Sequence, residues 1–247
     1  MISNKTSIES LNINNIPAEN ICDRLLRELG GTYPSYFSIN LSSMVSEEVF
    51  KWFLASIILG ERIDGDIAAR NTYGEFEKAG VLSVKAVIET GYAGLVVILN
   101  QRGYIKHNRE IAARLFKAAK VLEDKYAGDL NRLHFFARGG RDLEEKIRNL
   151  ARDINTTTIE TFLRGLRGIW EKVELALSVS ALPAAKNLGL IHSVDAPAAL
   201  EELKSILNQD ETRLSDLEAA LIKLNNKYCC KNRCPVCPMK EWCKKLW

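Results

Sequence analysis

Five of the six cysteines lie close together at the C-terminal end of the chain: Cys229, Cys230, Cys234, Cys237 and Cys243. Thiolates are the usual ligands of both zinc and iron–sulfur clusters. With Cys230 first, the spacing is Cys-x3-Cys-x2-Cys-x5-Cys, short enough for four thiolates to surround one small metal group. Structural zinc sites more often use two separated Cys-x2-Cys pairs, and only one such pair is present here. The spacing alone predicts a metal site and leaves iron–sulfur and zinc open.

Basic residues surround these cysteines, although the formal net charge of the whole chain is only +3. Between residues 226 and 247, Glu241 is the single acidic residue. The basic residues of this segment are Lys227, Lys231, Arg233, Lys240, Lys244 and Lys245. Such a concentration of positive charge suits contact with phosphate groups. A solvated charged tail is the alternative interpretation.

The elements that must position this tail are predicted to be helices. Hydrophobic residues make up 47% of the chain and charged residues 26%, which is typical of a folded globular protein. Apolar residues recur at helical spacing along most of the chain, most clearly over Asn108–Tyr126, and no segment alternates with period two. We therefore predict an all-α fold.

The same sequence indicates where the protein works. No apolar run approaches the roughly 20 residues of a membrane-spanning helix. The first residues, MISNKTSIES, lack the apolar core of a secretory signal. We therefore expect a cytoplasmic protein with no membrane contact, and we expect it to be a monomer.

A helical hairpin is predicted before the cysteine tail. The segment Thr157-Thr158-Ile159-Glu160 fits a capping box, which marks the start of a helix. The predicted helix over residues 157–164 leads into a turn that contains glycine, and a second helix is predicted over residues 169–181.

A helical chain in which such a hairpin precedes a four-cysteine loop resembles the endonuclease III superfamily of DNA glycosylases. The family loop reads Cys-x6-Cys-x2-Cys-x5-Cys, with a tyrosine shortly before its first cysteine. Here the last three cysteines match at full spacing and Tyr228 matches the tyrosine, which favours Cys230 as the first ligand. The first gap is shorter than in the family, so Cys229 remains the alternative. The resemblance implies a [4Fe-4S] cluster, with zinc as the alternative, on Cys230, Cys234, Cys237 and Cys243.

The resemblance also implies a two-domain fold and a partner. Residues 1–42 would be an N-terminal segment packing with the cluster domain, and residues 43–170 a six-helix barrel ending in the helix-hairpin-helix. Residues 171–247 would supply the C-terminal helices and the cluster loop. Members of the family bind duplex DNA and excise damaged or modified bases in base-excision repair, so duplex DNA is the expected partner and the bound protein would be nucleoid-associated.

The family hairpin reads Leu-Pro-Gly-Val-Gly-Arg-Lys, and its glycines let backbone N–H groups approach a DNA phosphate. Residues 166–172 match it position for position, with Trp170 in place of the second glycine. This register places Lys172 on the lysine that attacks the sugar in bifunctional members; an alternative register begins at Leu163 and supplies no lysine. The DNA-contacting residues expected from the match and from the basic tail are Leu166, Arg167, Gly168, Ile169, Lys231, Arg233 and Lys240.

The expected catalytic machinery is incomplete. The place of the family aspartate falls on Ser178, whose hydroxyl cannot supply a full negative charge to a developing cation. Glu61 stands where the family has a glutamine that fills the gap left by the extruded base. Three hypotheses remain: an active DNA glycosylase, with AP lyase activity through Lys172; a catalytically inactive DNA-binding relative; and an iron–sulfur electron-transfer or interaction protein that does not act on DNA.

Overall fold

The computed structural model describes residues 17–60, 66–101 and 107–244. All regular elements in these ranges are helical, which confirms the all-α prediction. The helices are α1 (Ala18–Leu29), α2 (Tyr33–Tyr36), α3 (Ser46–Gly60), α4 (Asp66–Ala79), α5 (Val84–Asn100), α6 (Asn108–Tyr126), α7 (Leu130–Phe135), α8 (Gly140–Arg148), α9 (Thr156–Gly165), α10 (Leu182–Asn187), α11 (Ala196–Ile206) and α12 (Glu211–Lys227). Short 3-10 turns cover Leu41–Ser43, Cys229–Lys231, Cys234–Val236 and Lys240–Trp242.

The predicted helix over residues 169–181 is wrong. After α9 ends at Gly165, turns fill residues 166–172, and residues 173–178 have no regular structure. Gly168 has a φ of 75°, a left-handed conformation that stops a helix and favours glycine. The Arg167 guanidinium then donates to the Leu175 carbonyl oxygen at 2.8 Å, which folds this segment back on itself.

A helical hairpin does contain α9, but its partner is α8. The two helices are in contact, and residues 149–155 join them. Ile154 in this turn is buried. The Asn155 side chain accepts a hydrogen bond from the Thr158 amide at 2.8 Å and so caps α9. The turn of this hairpin therefore precedes α9, whereas the sequence predicted a hairpin whose turn follows α9.

The chain divides into two compact units, with boundaries after Gly31 and after Leu175, so the first unit is made of two chain segments. In its described part, the first unit consists of residues 17–31 and 176–244. There α1 packs on α12, and Arg213 forms ion pairs with Asp23 and, at 3.5 Å, with Glu19. Cys22 of α1 lies in this core, where burial raises the pKa of its thiol to about 12. The domain bounds implied by the resemblance stay a prediction.

The second unit spans Thr32–Leu175 and has an aromatic core around α3. The Trp52 indole N–H donates to the Phe162 carbonyl oxygen at 2.9 Å, which joins α3 to α9. Gly165 permits this approach, since a Cβ there would lie only 2.4 Å from the indole nitrogen. α9 is therefore held against the centre of its unit.

The helices of the described ranges bear on whether the chain could cross a membrane. No single helix there is long and apolar enough to cross a membrane. The segments Ile67–Ala79 and Val84–Asn100 meet the criteria of length and composition only as a pair, and they are bent by 103°.

Candidate functional site

Three short turns carry the clustered cysteines after the end of α12. The Tyr228 carbonyl oxygen accepts N–H groups from Lys231 at 3.3 Å and from Arg233 at 2.9 Å, which curls the chain tightly at the start of the loop. Pro235 lies inside the second turn, where its fixed φ suits the conformation. The turns and prolines of the loop bring cysteines that are separated along the chain to the same cavity.

Four thiols line a common cavity, which belongs to the first unit and has a volume of about 20 Å³. Its cysteines are Cys229, Cys234, Cys237 and Cys243. The other lining residues are mostly apolar and include Leu188, Leu224 and Met239. A cavity of this size has room for about one water molecule.

Cys229 and Cys230 take different places relative to this cavity. Cys229 lines it and is half-buried, whereas Cys230 is exposed and its Sγ donates to the Asn226 carbonyl oxygen at 3.4 Å. The geometry therefore favours Cys229, the alternative first ligand, which changes the spacing to Cys-x4-Cys-x2-Cys-x5-Cys.

The surroundings of the cavity favour the neutral form of two of its thiols. Burial first, and then the neighbouring thiols, raise the pKa of both Cys229 and Cys237; a hydrogen bond with Asn187 opposes this at Cys229. Thiolates ligate metals only in their ionised form, and several thiolates in one cavity repel each other unless a positive centre balances them. The four cysteines are thus close enough to interact and need such a centre to ionise together.

The chain after Cys243 contacts Asn187, a residue that lines the cavity. The Lys244 N–H donates to the Asn187 carbonyl oxygen at 2.7 Å. Gly189 has a φ of 68°, and a Cβ at this position would lie 2.5 Å from the Lys244 side chain. Its left-handed conformation favours glycine there, whereas the end of the exposed Lys244 side chain could move aside.

The thiols do not converge as ligands of a single ion. Within the ranges that the structure describes, no group of three or more Cys, His, Asp or Glu side chains is arranged to hold one metal ion. The four cysteines surround a space without meeting at one point.

Cations are exposed around the cavity. Lys231, Arg233 and Lys240 are all exposed, and Lys240 also lines the cavity. None of the three forms an ion pair with another described residue. Together with the exposed Lys227 and Lys244 they form the cysteine-loop basic patch; Lys245 lies outside the described residues.

The residues matched to the family hairpin are less accessible. Leu166 is fully buried and Arg167 is 4% exposed, so neither presents its side chain to a surface partner. Gly168 is exposed and Ile169 is half-buried. The structure thus leaves only two of these four residues on the surface.

The ammonium group of Lys172 is engaged by the backbone. Its Nζ donates to the carbonyl oxygens of His134 and Phe135, at 3.0 Å each, and so caps the C-terminal end of α7. Burial, with a contribution from Lys172, lowers the pKa of His134. Lys172 stabilises a helix end in this arrangement.

Of the other two candidate catalytic residues, Ser178 lies within the described part of the chain and Glu61 does not. The Ser178 amide donates at 2.7 Å to Glu218, a carboxylate that is 1% exposed, and the Ser178 hydroxyl accepts from the Ser180 amide at 3.3 Å. Glu218 was not singled out from the sequence, because an acidic residue within an amphipathic helix gives no sign of burial. Glu61 lies outside the described residues.

A second basic feature, not predicted from the sequence, is a cleft of about 420 Å³ in the second unit. α6 lines one side, and the turn between α8 and α9 lines the other. Its cations are Arg109, Arg114, Lys117 and Arg152, and its acidic residues are Glu110 and Asp153. The sequence alone shows that the polar face of α6 carries cations. That they lie across a cleft from Arg152 depends on tertiary packing, which the sequence does not show.

Comparison with known proteins identifies no relative. No model of a known protein family matches the chain, and no curated protein matches it significantly. The likeness to the endonuclease III superfamily therefore depends on the residues and motifs described above.

Proposed function

We propose that this protein is a DNA-binding iron–sulfur protein, an atypical member of the endonuclease III superfamily of base-excision-repair proteins. The observation that carries the proposal is the shared cavity of four thiols with exposed, unpaired cations around it. The cavity accounts for a bound metal group, and the cysteine-loop basic patch accounts for a phosphate-rich partner.

The donor set fits an iron–sulfur cluster better than a single zinc ion. Zinc draws four ligands to about 2.3 Å from one centre, which requires convergence. A [4Fe-4S] cluster instead binds each cysteine through a different iron, so its four sulfur ligands are spread around a larger body, and the cysteine loop would have to widen beyond its cavity of about 20 Å³ to hold it. We assign the ligands as Cys229, Cys234, Cys237 and Cys243. When bound, such a cluster would supply a redox centre and would tie four points of the loop together.

Duplex DNA is the proposed partner because both basic features carry more cations than carboxylates. The cysteine-loop basic patch has Glu241 as its only acidic residue. The cleft of the second unit has four cations and two carboxylates. Contacts of this kind position a protein on the phosphate backbone without reading base sequence. A two-domain helix-hairpin-helix architecture, with a barrel and a cluster domain, is part of the same proposal.

We propose binding without lyase chemistry through Lys172. The ammonium group would have to give up two hydrogen bonds at 3.0 Å before it could act as a nucleophile. A nucleophilic lysine needs a free amine directed at the sugar, and in this arrangement the amine is directed at two backbone carbonyl oxygens. Any glycosylase activity would have to use a relocated carboxylate, for which Glu61 and Glu174 are the candidates.

The first experiment identifies the metal group. Protein purified without oxygen should be brown, with broad visible absorbance and with iron and acid-labile sulfide in equal amounts. A colourless protein that contains zinc would overturn the cluster assignment.

The second experiment measures the affinity for matched duplex DNA over a series of salt concentrations. Replacing Lys231, Arg233 and Lys240 together by alanine should make the slope of log K against log salt less negative by about 2.7, at about 0.9 for each lost phosphate contact. The matched control replaces Lys78, Lys85 and Lys125, exposed lysines of the second unit, and should leave the slope nearly unchanged. Absent or salt-insensitive binding by the wild type would exclude the DNA proposal and favour an electron-transfer or interaction protein.

The third experiment tests for chemistry. Duplexes containing uracil, oxidised bases or alkylated bases are incubated with the wild type, with Glu61→Gln and with Lys172→Ala. Strand incision after alkali treatment that disappears in Glu61→Gln would identify an active glycosylase. Incision without alkali that depends on Lys172 would contradict the binding-only proposal.

A further inference from the structure

Two adjacent phenylalanines at the end of α7 are exposed. Phe135 is 75% exposed and Phe136 is 53% exposed. Their ring centroids are 5.5 Å apart, and the ring planes are nearly perpendicular at 78°. Single exposed apolar residues are ordinary, but two neighbouring aromatic rings form a continuous apolar surface that is left open to solvent.

The backbone that carries these rings is fixed from outside α7. Lys172 donates to the carbonyl oxygens of His134 and Phe135. The His134 ring stacks on Trp170, with centroids 4.7 Å apart and planes 9° from parallel. Trp170 is itself buried and donates to the Asn131 side chain at 3.1 Å. The rings are therefore presented by a preorganised helix end, which reduces the ordering that binding must supply.

Arginines precede and follow the two phenylalanines in the chain. Arg132 precedes Phe135 by three residues and Phe136 by four, so its side chain lies on the same helix face. Arg138 and Arg141 follow, and both are exposed. Arg132 and Arg141 form no ion pair within the described part of the chain.

The nearby carboxylates only partly offset these charges. Asp142 pairs with Arg138, with Nε and Oδ2 3.6 Å apart, and accepts the Arg138 amide at 2.8 Å. Lys146 lies 3.8 Å from the same carboxylate. Asp142 is thus engaged within its own segment and leaves Arg132 and Arg141 to an external anion.

We propose that Phe135 and Phe136 form a stacking platform for an unpaired base of DNA, with Arg132 and Arg141 against the flanking phosphates. Flat apolar rings accept any base, because every base has a π face, and guanidinium groups on either side match the charged backbone. The inference rests on the proposed DNA binding and deepens it, because it names the favoured ligand as duplex DNA with an unpaired base.

The test compares two fluorescent duplexes of identical sequence, one fully matched and one with a single-base bulge. Wild-type protein should bind the bulged duplex more tightly. The double variant Phe135→Ala/Phe136→Ala should lose about 5- to 150-fold of affinity for the bulged duplex and little for the matched one. Its salt slope should stay unchanged because no charge is removed, whereas Arg132→Ala should reduce the slope on the bulged duplex by about 0.9.

Controls separate stacking from general damage. Val97→Ala removes a side chain that is 57% exposed on α5 of the same unit and should leave both affinities unchanged. Phe135→Trp/Phe136→Trp keeps aromatic rings and should preserve the preference for the bulge. Circular dichroism on every variant checks that the helices are intact.

The outcomes distinguish this inference from the proposed function. Salt-dependent binding of matched duplex with no preference for the bulge would overturn the platform alone. A preference that survives in the double alanine variant would also overturn it. Absence of binding to either duplex would overturn both the platform and the proposed function.

Discussion

Cys229 and Cys230 are neighbours in the chain, but their thiols have different surroundings. Both lie in the 3-10 turn Cys229–Lys231, in which successive side chains point about 120° apart. One thiol therefore enters the cavity while the next faces solvent. The spacing between Tyr228 and the first cysteine carries no information about the direction of a side chain, so it cannot distinguish two adjacent cysteines.

Serine substitution of each cysteine tests this assignment. We expect Cys229→Ser to lose most of the iron and of the visible absorbance, because one ligand of the cavity is removed. Cys230→Ser should retain both, since its thiol lies outside the cavity, and it is the matched control. Iron analysis and absorbance of anaerobically purified protein provide the measurement. Loss in Cys230→Ser with retention in Cys229→Ser would restore Cys230 as the first ligand.

His134 provides a prediction about pH. Burial, aided by Lys172 and opposed by Glu171, holds the pKa of His134 below its ordinary 6.5. The unfolded chain then binds the proton more readily than the folded one. The stability contributed by the neutral ring is fully present above about pH 6.5 and is lost as the pH falls through the lower pKa of the folded state.

The measurement is urea unfolding between about pH 7 and pH 5. His134→Phe keeps a ring to stack on Trp170 but cannot bind a proton, so its free energy of unfolding should fall less over this range than that of the wild type. His192→Phe replaces an exposed histidine and serves as the control. Parallel curves for the wild type and His134→Phe would contradict the prediction.

At the scale of elements, Lys172 joins the segment after α9 to the end of α7. Lys172→Met keeps the length of the side chain but removes both hydrogen bonds to the carbonyl oxygens. We expect a loss of about 1–2 kcal/mol in the free energy of unfolding, reduced from a buried case because the site is partly solvated. Glu171→Gln, at an exposed neighbour, should have little effect. Unchanged stability in Lys172→Met would show that the lysine does not hold α7.

The cleft between α6 and the turn of the α8–α9 hairpin gives a second prediction at this scale. If it contacts phosphate, Arg152→Ala and Lys117→Ala should each make the salt slope of duplex binding less negative by about 0.9. Arg148→Ala, an exposed arginine of α8 that does not line the cleft, is the control. A slope unchanged in all three variants would exclude the cleft from the interface.

The elements differ in how well local sequence defines them. α6 has the bounds that its apolar period predicts, because that signal is local. Residues 169–181 have a similar period, yet Trp170 and Arg167 turn inward and the chain cannot continue as a helix. The number of cysteines in the site followed from spacing, whereas the choice between Cys229 and Cys230 required the direction of each side chain.

At the scale of the whole molecule, the two units have separate apolar cores of different kinds. The buried core of the second unit contains no cysteine, whereas that of the first includes Cys237 and Met239 from the cysteine loop. A cluster bound in the loop would therefore contribute to the stability of the first unit, as metal binding does where ligands and fold are coupled.

Oxidative removal of the cluster should destabilise one unit selectively. We expect amide hydrogen exchange to increase in residues 17–31 and 176–244 and to remain unchanged within Thr32–Leu175. The comparison uses the full chain before and after oxidation, and the Cys230→Ser variant checks that oxidation of an exposed thiol is not the cause. Equal increases in both units would contradict a stabilising role confined to the first.

The exposure of Cys230 has a practical consequence. Alkylating reagents attack thiolates that solvent can reach, and burial raises the pKa of Cys22 to about 12, which leaves that thiol unreactive. If a cluster is bound by the four cysteines of the cavity, a maleimide dye would attach only at Cys230. That position lies between Lys227 and Lys231, so the native sequence already provides a reporter dye site within the cysteine-loop basic patch, where the arrival of a nucleic acid would be detected directly.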